Sequence, residues 1–134
     1  MEKLSLGANM IEDISVFSKV PFRKIKVLEL WENNISNIDV LSEVRFKRLR
    51  ELSLSHNKIS DLKALQHVSL RRLEKLSLHD NLISNIDVLI EIQFKRVQRL
   101  YFENNKVDYS LEHNKKIIEE LKKIEREIKK LISK

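Results

Sequence analysis

The chain has 134 residues, 42% hydrophobic and 34% charged, with a formal net charge of +6, which suits one soluble globular domain and not a disordered tail. It contains no cysteine, which excludes disulfides, thiolate nucleophiles and cysteine-based zinc or iron–sulfur centres and predicts a reducing, cytoplasmic setting. A single glycine, Gly7, and a single proline, Pro21, leave no P-loop or GxGxxG dinucleotide loop, and no stretch is apolar enough for a signal peptide or a membrane span.

From Met1 onward the chain runs on a period of 24. The segments "KLSLGANMIEDI", "VLELWENNISNI", "ELSLSHNKISDL", "KLSLHDNLISNI" and "RLYFENNKVD" follow one another at that spacing without insertion. Numbered from Met1, positions 1, 4, 6, 11, 14, 17, 20 and 22 are apolar in all copies up to residue 108. Self-similarity at such a period marks a stacked-repeat architecture. One repeat offers about eight core side chains, worth roughly 1.5–3 kcal/mol each, against about 1.5 kcal/mol per residue ordered. A lone repeat therefore cannot fold, and stacking is obligatory.

The pattern LxxLxLxxNxIxxI, seen in "LRELSLSHNKISDL" (Leu49 to Leu62), resembles that of leucine-rich repeats. It is most similar to the short intracellular class of phosphatase-1 regulatory subunits and splicing or axonemal proteins. It departs from that class in its period, 24 here against about 22 there. The resemblance covers residues 1 to 108, four full repeats and most of a fifth. It implies an α/β solenoid, with a parallel sheet on the concave face and short helices or 3₁₀ turns on the convex face. It names no partner.

Within each repeat, alternation at positions 4 and 6 predicts a short strand with one face buried. Positions 3, 5, 7 and 8 then face the concave side. Row 3 reads Lys3, Val27, Glu51, Lys75, Arg99, and row 5 reads Ser5, Glu29, Ser53, Ser77, Tyr101. Row 7 reads Gly7, Trp31, Ser55, His79, Glu103, and row 8 reads Ala8, Glu32, His56, Asp80, Asn104. These rows differ from repeat to repeat while the core hardly varies, as a recognition surface requires. Trp31 is the only tryptophan and stands among polar residues; its indole either lies over Gly7 or serves as a binding anchor. Asn9, Asn33, Asn57, Asn81 and Asn105 follow the strands. As inward-pointing amides they are expected to hydrogen-bond backbone of their own and the adjacent repeat, holding the turn without glycine.

Short helical segments are expected next, in "DVLSEVRF", "KALQHVSL" and "DVLIEIQF", with Asp39 and Asp87 as N-caps. Each complete repeat ends on two basic residues, Arg23 and Lys24, Lys47 and Arg48, Arg71 and Arg72, Lys95 and Arg96. This basic ladder runs along an otherwise acidic solenoid. From Tyr109 the lattice stops. Ile117, Leu121, Ile124, Ile128 and Leu131 then step by 4, 3, 4 and 3, predicting an amphipathic helix over residues 109–134 that caps the last repeat or pairs with another chain. At the other end the first strand begins at once, so Leu4, Leu6, Ile11, Ile14 and Phe17 are expected to be unprotected and to favour self-association.

No catalytic constellation emerges. Ser55, His56, His79 and Asp80 come close on neighbouring strands, but a sheet face offers no oxyanion hole and no water-excluding pocket. Neither an enzyme, a cofactor, a metal site nor a small-molecule substrate is expected. The reading is a protein–protein interaction module, an adaptor or scaffold, that binds an unidentified protein on the concave face through Trp31, Glu29, Glu32, Ser55, His79, Tyr101 and Glu103. The runner-up is an anionic partner, whether nucleic acid, acidic lipid or acidic protein, held by the basic ladder. No aromatic interleaves that ladder, so base stacking is unsupported.

Overall fold

The computed structural model describes residues 1–92 and 94–133. Five three-residue strands, β1 (Lys3–Ser5), β2 (Val27–Glu29), β3 (Glu51–Ser53), β4 (Lys75–Ser77) and β5 (Arg99–Tyr101), form one parallel sheet in chain order. Each residue pairs with the one 24 positions on: Leu4 with Leu28, Leu28 with Leu52, Leu52 with Leu76, Leu76 with Leu100. Ladder bonds continue past each strand, as from Leu30 N–H to the Ser53 carbonyl at 2.9 Å and from Leu54 N–H to that of Ser77 at 2.8 Å. The strands end after three residues because the following turn reverses the chain at position 8. There Ala8, Glu32, His56, Asp80 and Asn104 all adopt φ between 54° and 59°. Left-handed backbone costs a residue with a Cβ roughly 1–2 kcal/mol, so another interaction must hold each of these turns.

The asparagines do so. Asn57 Nδ2 donates to the carbonyls of Leu30, Leu54 and Ser55 at 2.9, 3.1 and 3.1 Å, and its Oδ1 accepts from Ile35 N–H at 3.0 Å. Asn33, Asn81 and Asn105 repeat the arrangement, each amide reaching one repeat back. The Asn9 side-chain amide donates to the Leu6 and Gly7 carbonyls of its own turn, while the Asn9 N–H donates to Asn33 Oδ1 at 3.0 Å. Asn33, Asn57 and Asn81 are buried.

Opposite the sheet run three 3₁₀ turns, Ser15–Lys19, Asp39–Glu43 and Lys63–His67, and one α-helical turn, α1 (Val88–Glu91). Asp39 and Asp87 do not cap them. Asp39 is already the first residue of its turn, and neither side chain makes a capping bond. The residue at position 13 does that work: Asp13, Asn37, Asp61 and Asn85 accept the N–H two residues on at 2.8–2.9 Å. The Ser15 N–H, foremost, holds the Asp13 carboxyl below its ordinary range. A ninth core position also appears, since Val40, Ala64 and Val88 at position 16 are buried, while Val16 is 58% exposed.

Between sheet and turns lies one continuous core. Leu28, Leu30, Ile35, Leu54, Ile59, Leu78 and Ile83 are fully buried. Phe17 meets Phe22 edge-on at 5.1 Å between centroids, and Phe22 stacks on Phe46 at 5.9 Å, geometries that favour aromatic pairs. Phe17 and Ile14 are therefore buried, contrary to the expectation for repeat 1; Leu4, Leu6, Ile11 and Val20 are half-buried there, and Met10 is exposed.

The terminal helix α2 (Glu112–Ile132) adds Ile117, Leu121 and Ile128 to this core, with Ile124 half-buried. Leu131, expected in the same stripe, is 71% exposed; at about 1.5 Å per residue the helix has outrun the apolar surface beneath it. Asp108 and Ser110 turn the chain into the helix, Asn114 Nδ2 donates to the Asp108 carbonyl at 3.0 Å, and His113 Nε2 meets Asp87 Oδ1 at 2.9 Å.

Candidate functional site

The concave face carries a trough of about 260 Å³ over β2, β3 and β4. Glu29 and Trp31 form one wall, Glu51, Ser53 and Ser55 the centre, and Lys75, Ser77 and His79 the other wall. Of the expected residues, Glu29, Trp31, Ser55 and His79 come together here. Tyr101 flanks them, its ring 6.1 Å from that of His79. Glu32 stands on the left-handed turn, and Glu103 faces a separate cleft beside α2, formed with Leu100, Phe102, Tyr109, Ile118 and Leu121. Sequence reasoning left Glu51, Ser53, Lys75 and Ser77 out of the site, although the same alternation that placed Glu29 also places them.

Trp31 lies flat on Gly7. A Cβ at Gly7 would stand 2.2 Å from Trp31 Cε2, so the glycine exists for the indole. Trp31 Nε1–H donates to Glu29 Oε2 at 3.3 Å, and Glu29 Oε1 meets Lys3 Nζ at 3.0 Å. The Lys3 hydrogen bond, foremost, lowers the Glu29 carboxyl below its ordinary value, with help from Trp31, the Lys3 charge and Ser5, while burial opposes it.

The serine–histidine–aspartate grouping does not assemble as a nucleophile. Ser55 Oγ faces Ser53 Oγ at 3.5 Å and is bonded to no histidine. His56 Nε2 and Asp80 Oδ2 are 3.5 Å apart, and His56 and His79 pack edge-on at 5.5 Å. One ligand atom from each of His56, His79 and Asp80 lies within 4.8 Å of the others, a spacing at which the three could hold a metal ion. His79 Nδ1 is buried with no hydrogen-bond partner among the described residues.

The basic ladder lies where the chain leaves the convex turns and enters the strands. There it walls a groove of about 650 Å³ lined by Lys47, Arg71, Arg72, Lys95 and Arg96, joined by Arg45, His67, Ser42 and Ser69 over a floor of Val44, Phe46 and Leu49. Arg23, Lys24 and Arg48 continue the ladder outside the groove. Arg45 and His67 were not among the expected residues, because positions 21 and 19 change type in every repeat.

A parallel sheet of short strands, a convex row of tight turns and an inward asparagine ladder define a solenoid of leucine-rich repeats. A family model for leucine-rich repeats (two copies) matches residues 23–67 and 47–91, and the chain belongs to that family. Among solved structures, the chain is similar to an internalin (inlF) from Listeria monocytogenes. The identity is 26%, the TM-score 0.67, and the match covers 81% of this chain and 30% of that one. It is also similar in fold to internalin C2 of the same organism, at 24% identity and a TM-score of 0.55, covering 80% and 54% of the two chains. The chain thus spans only about a third to a half of these neighbours, and neither supports the expected resemblance to phosphatase-1 regulatory subunits. No curated protein sequence matches the chain. Among the described residues no helix is long and apolar enough to cross a membrane.

Proposed function

We propose that this chain is a protein-interaction module, an adaptor or scaffold whose concave face receives a segment of a partner protein. Leucine-rich repeat proteins are in general interaction modules, and the proposal assigns the recognising surface. The observation that carries it is the trough over β2, β3 and β4, where acidic, basic, hydroxyl and aromatic groups converge on a rigid sheet. Apart from the shared Ser53 and Ser77, its side chains change from repeat to repeat, Glu51 to Lys75 and Trp31 to Ser55 to His79, while the layer beneath them, Leu28, Leu52 and Leu76, stays the same and is buried. Such a surface presents polar groups of fixed spacing beside a half-buried tryptophan and a tyrosine, the residue types that dominate binding energy at interfaces.

The test is affinity capture on the immobilised full chain, comparing wild type with Ser53→Trp, which fills the trough, and with Arg71→Glu/Arg72→Glu on the strand-entry edge. Partners kept by the arginine variant and lost by Ser53→Trp are the expected result. A set of partners unchanged by Ser53→Trp refutes concave-face recognition.

A further inference from the structure

The groove on the strand-entry edge has a composition unlike any other part of the surface. Six cations line it, Arg45 and Lys47 from the second repeat, Arg71 and Arg72 from the third, Lys95 and Arg96 from the fourth, and among the described residues no carboxylate does. Five cations elsewhere are paired: Lys3 with Glu29, Lys26 with Glu2, Arg50 with Glu74, Arg99 with Glu51 and Lys129 with Glu125. Among the described residues none of the six groove cations has such a partner. Their charges therefore reinforce one another across a concavity, which focuses a positive potential there.

The groove's other features select among anions. Val44, Phe46 and Leu49 form its floor but are sealed at 7%, 2% and 1% exposure, so an occupant finds no apolar anchor of the kind peptide partners use. Four of the six cations are arginines, whose planar forks grip phosphate oxygens in pairs, and the Ser69 hydroxyl adds a neutral donor, that of Ser42 being given to the Asp39 carbonyl at 2.7 Å. A volume of about 650 Å³ falls within the range of sites that enclose a small ligand. We infer that this groove binds an anion carrying several closely spaced phosphate groups, held across three repeats by the six cations. Arg23, Lys24 and Arg48, further along the same edge, extend the track for a longer occupant.

The experiment is calorimetric titration of the full chain with inorganic tripolyphosphate, with single-stranded dT12 and with an octaglutamate peptide, at low and at raised salt. Binding of either phosphate probe at low salt, weakening steeply with salt, is expected, and it should fall at least about tenfold in Arg71→Glu/Arg72→Glu. The variant Lys115→Glu/Lys116→Glu on α2 changes net charge equally and should stay within about twofold of wild type, and circular dichroism checks that both variants fold. Tripolyphosphate as the tighter probe identifies a compact oligophosphate, and dT12 as the tighter probe identifies a nucleic-acid backbone; both support the site. Absence of binding at low salt, equal losses in the two charge variants, or octaglutamate binding as tightly as the phosphates overturns it.

Discussion

Gly7 and Trp31 sit one repeat apart, and the contact between them yields a change of sign that a double-mutant cycle can read. In Gly7→Ala the new Cβ would meet Trp31 Cε2 at 2.2 Å and Cδ2 and Cζ2 at 2.5 Å. Carbon atoms settle near 3.5 Å or more, so the indole must withdraw by on the order of 1.3 Å. Overpacking of that kind costs about 1–3 kcal/mol. Gly7 has no positive φ, so alanine fits its backbone and returns about 0.4–1 kcal/mol by restricting the unfolded chain. The net expectation is a loss centred on about 1 kcal/mol, within bounds of roughly 0 and 2.6 kcal/mol. With Trp31→Ala already in place the clash is gone, and the same Gly7→Ala should stabilise by about 0.4–1 kcal/mol. Urea unfolding of all four proteins, followed by far-ultraviolet circular dichroism, measures both legs. Emission from the sole tryptophan should move to the red in Gly7→Ala as the ring leaves its cover. An equal shift of midpoint in both backgrounds would refute the packing described here.

Asn57→Ala removes three carbonyl contacts and the Ile35 N–H acceptor inside the array, and should lose about 3 kcal/mol or more. Asn9→Ala, at an exposed turn, should lose less than about 1 kcal/mol; equal losses in the two would mean the ladder is not what holds the repeats. Acidification supplies another test through Glu29, whose carboxyl is held low chiefly by the Lys3 hydrogen bond. A depressed carboxyl contributes stability above its unfolded value and loses it as pH falls through the folded one. Trp31 emission should therefore respond only on the acid side of the ordinary glutamate range, and Lys3→Ala should move that response to higher pH. A titration unchanged by Lys3→Ala counts against the pair.

The strands, the core and the asparagine ladder were readable because each rests on one residue type repeated at one position. The turns were less so. Position 13 alternates Asp and Asn, which hides a cap that either side chain can make, and Asp39 and Asp87 drew attention by lying nearer the helical pattern. Position 8 holds Ala, Glu, His, Asp and Asn. Nothing in that set announces a left-handed backbone, which is imposed by the neighbouring asparagine and the strand spacing. The concave trough followed from alternation alone, so its missed members were a matter of selection. The basic groove takes five of its six cations from the legible ladder, whereas Arg45 and His67 belong to no repeated column and are recognised as part of it only from the folded chain.

The strand ladder and the asparagine amides tie together residues between 22 and 27 positions apart. Closing a loop of that length costs about 2.8 kcal/mol plus a constant, and the cost is the same at every junction. No segment has to search the whole chain for its mate. Assembly can begin at whichever pair of repeats meets first and advance in equal steps to either side. Pulled from its ends, the same molecule should come apart as a zip does, one tooth at a time.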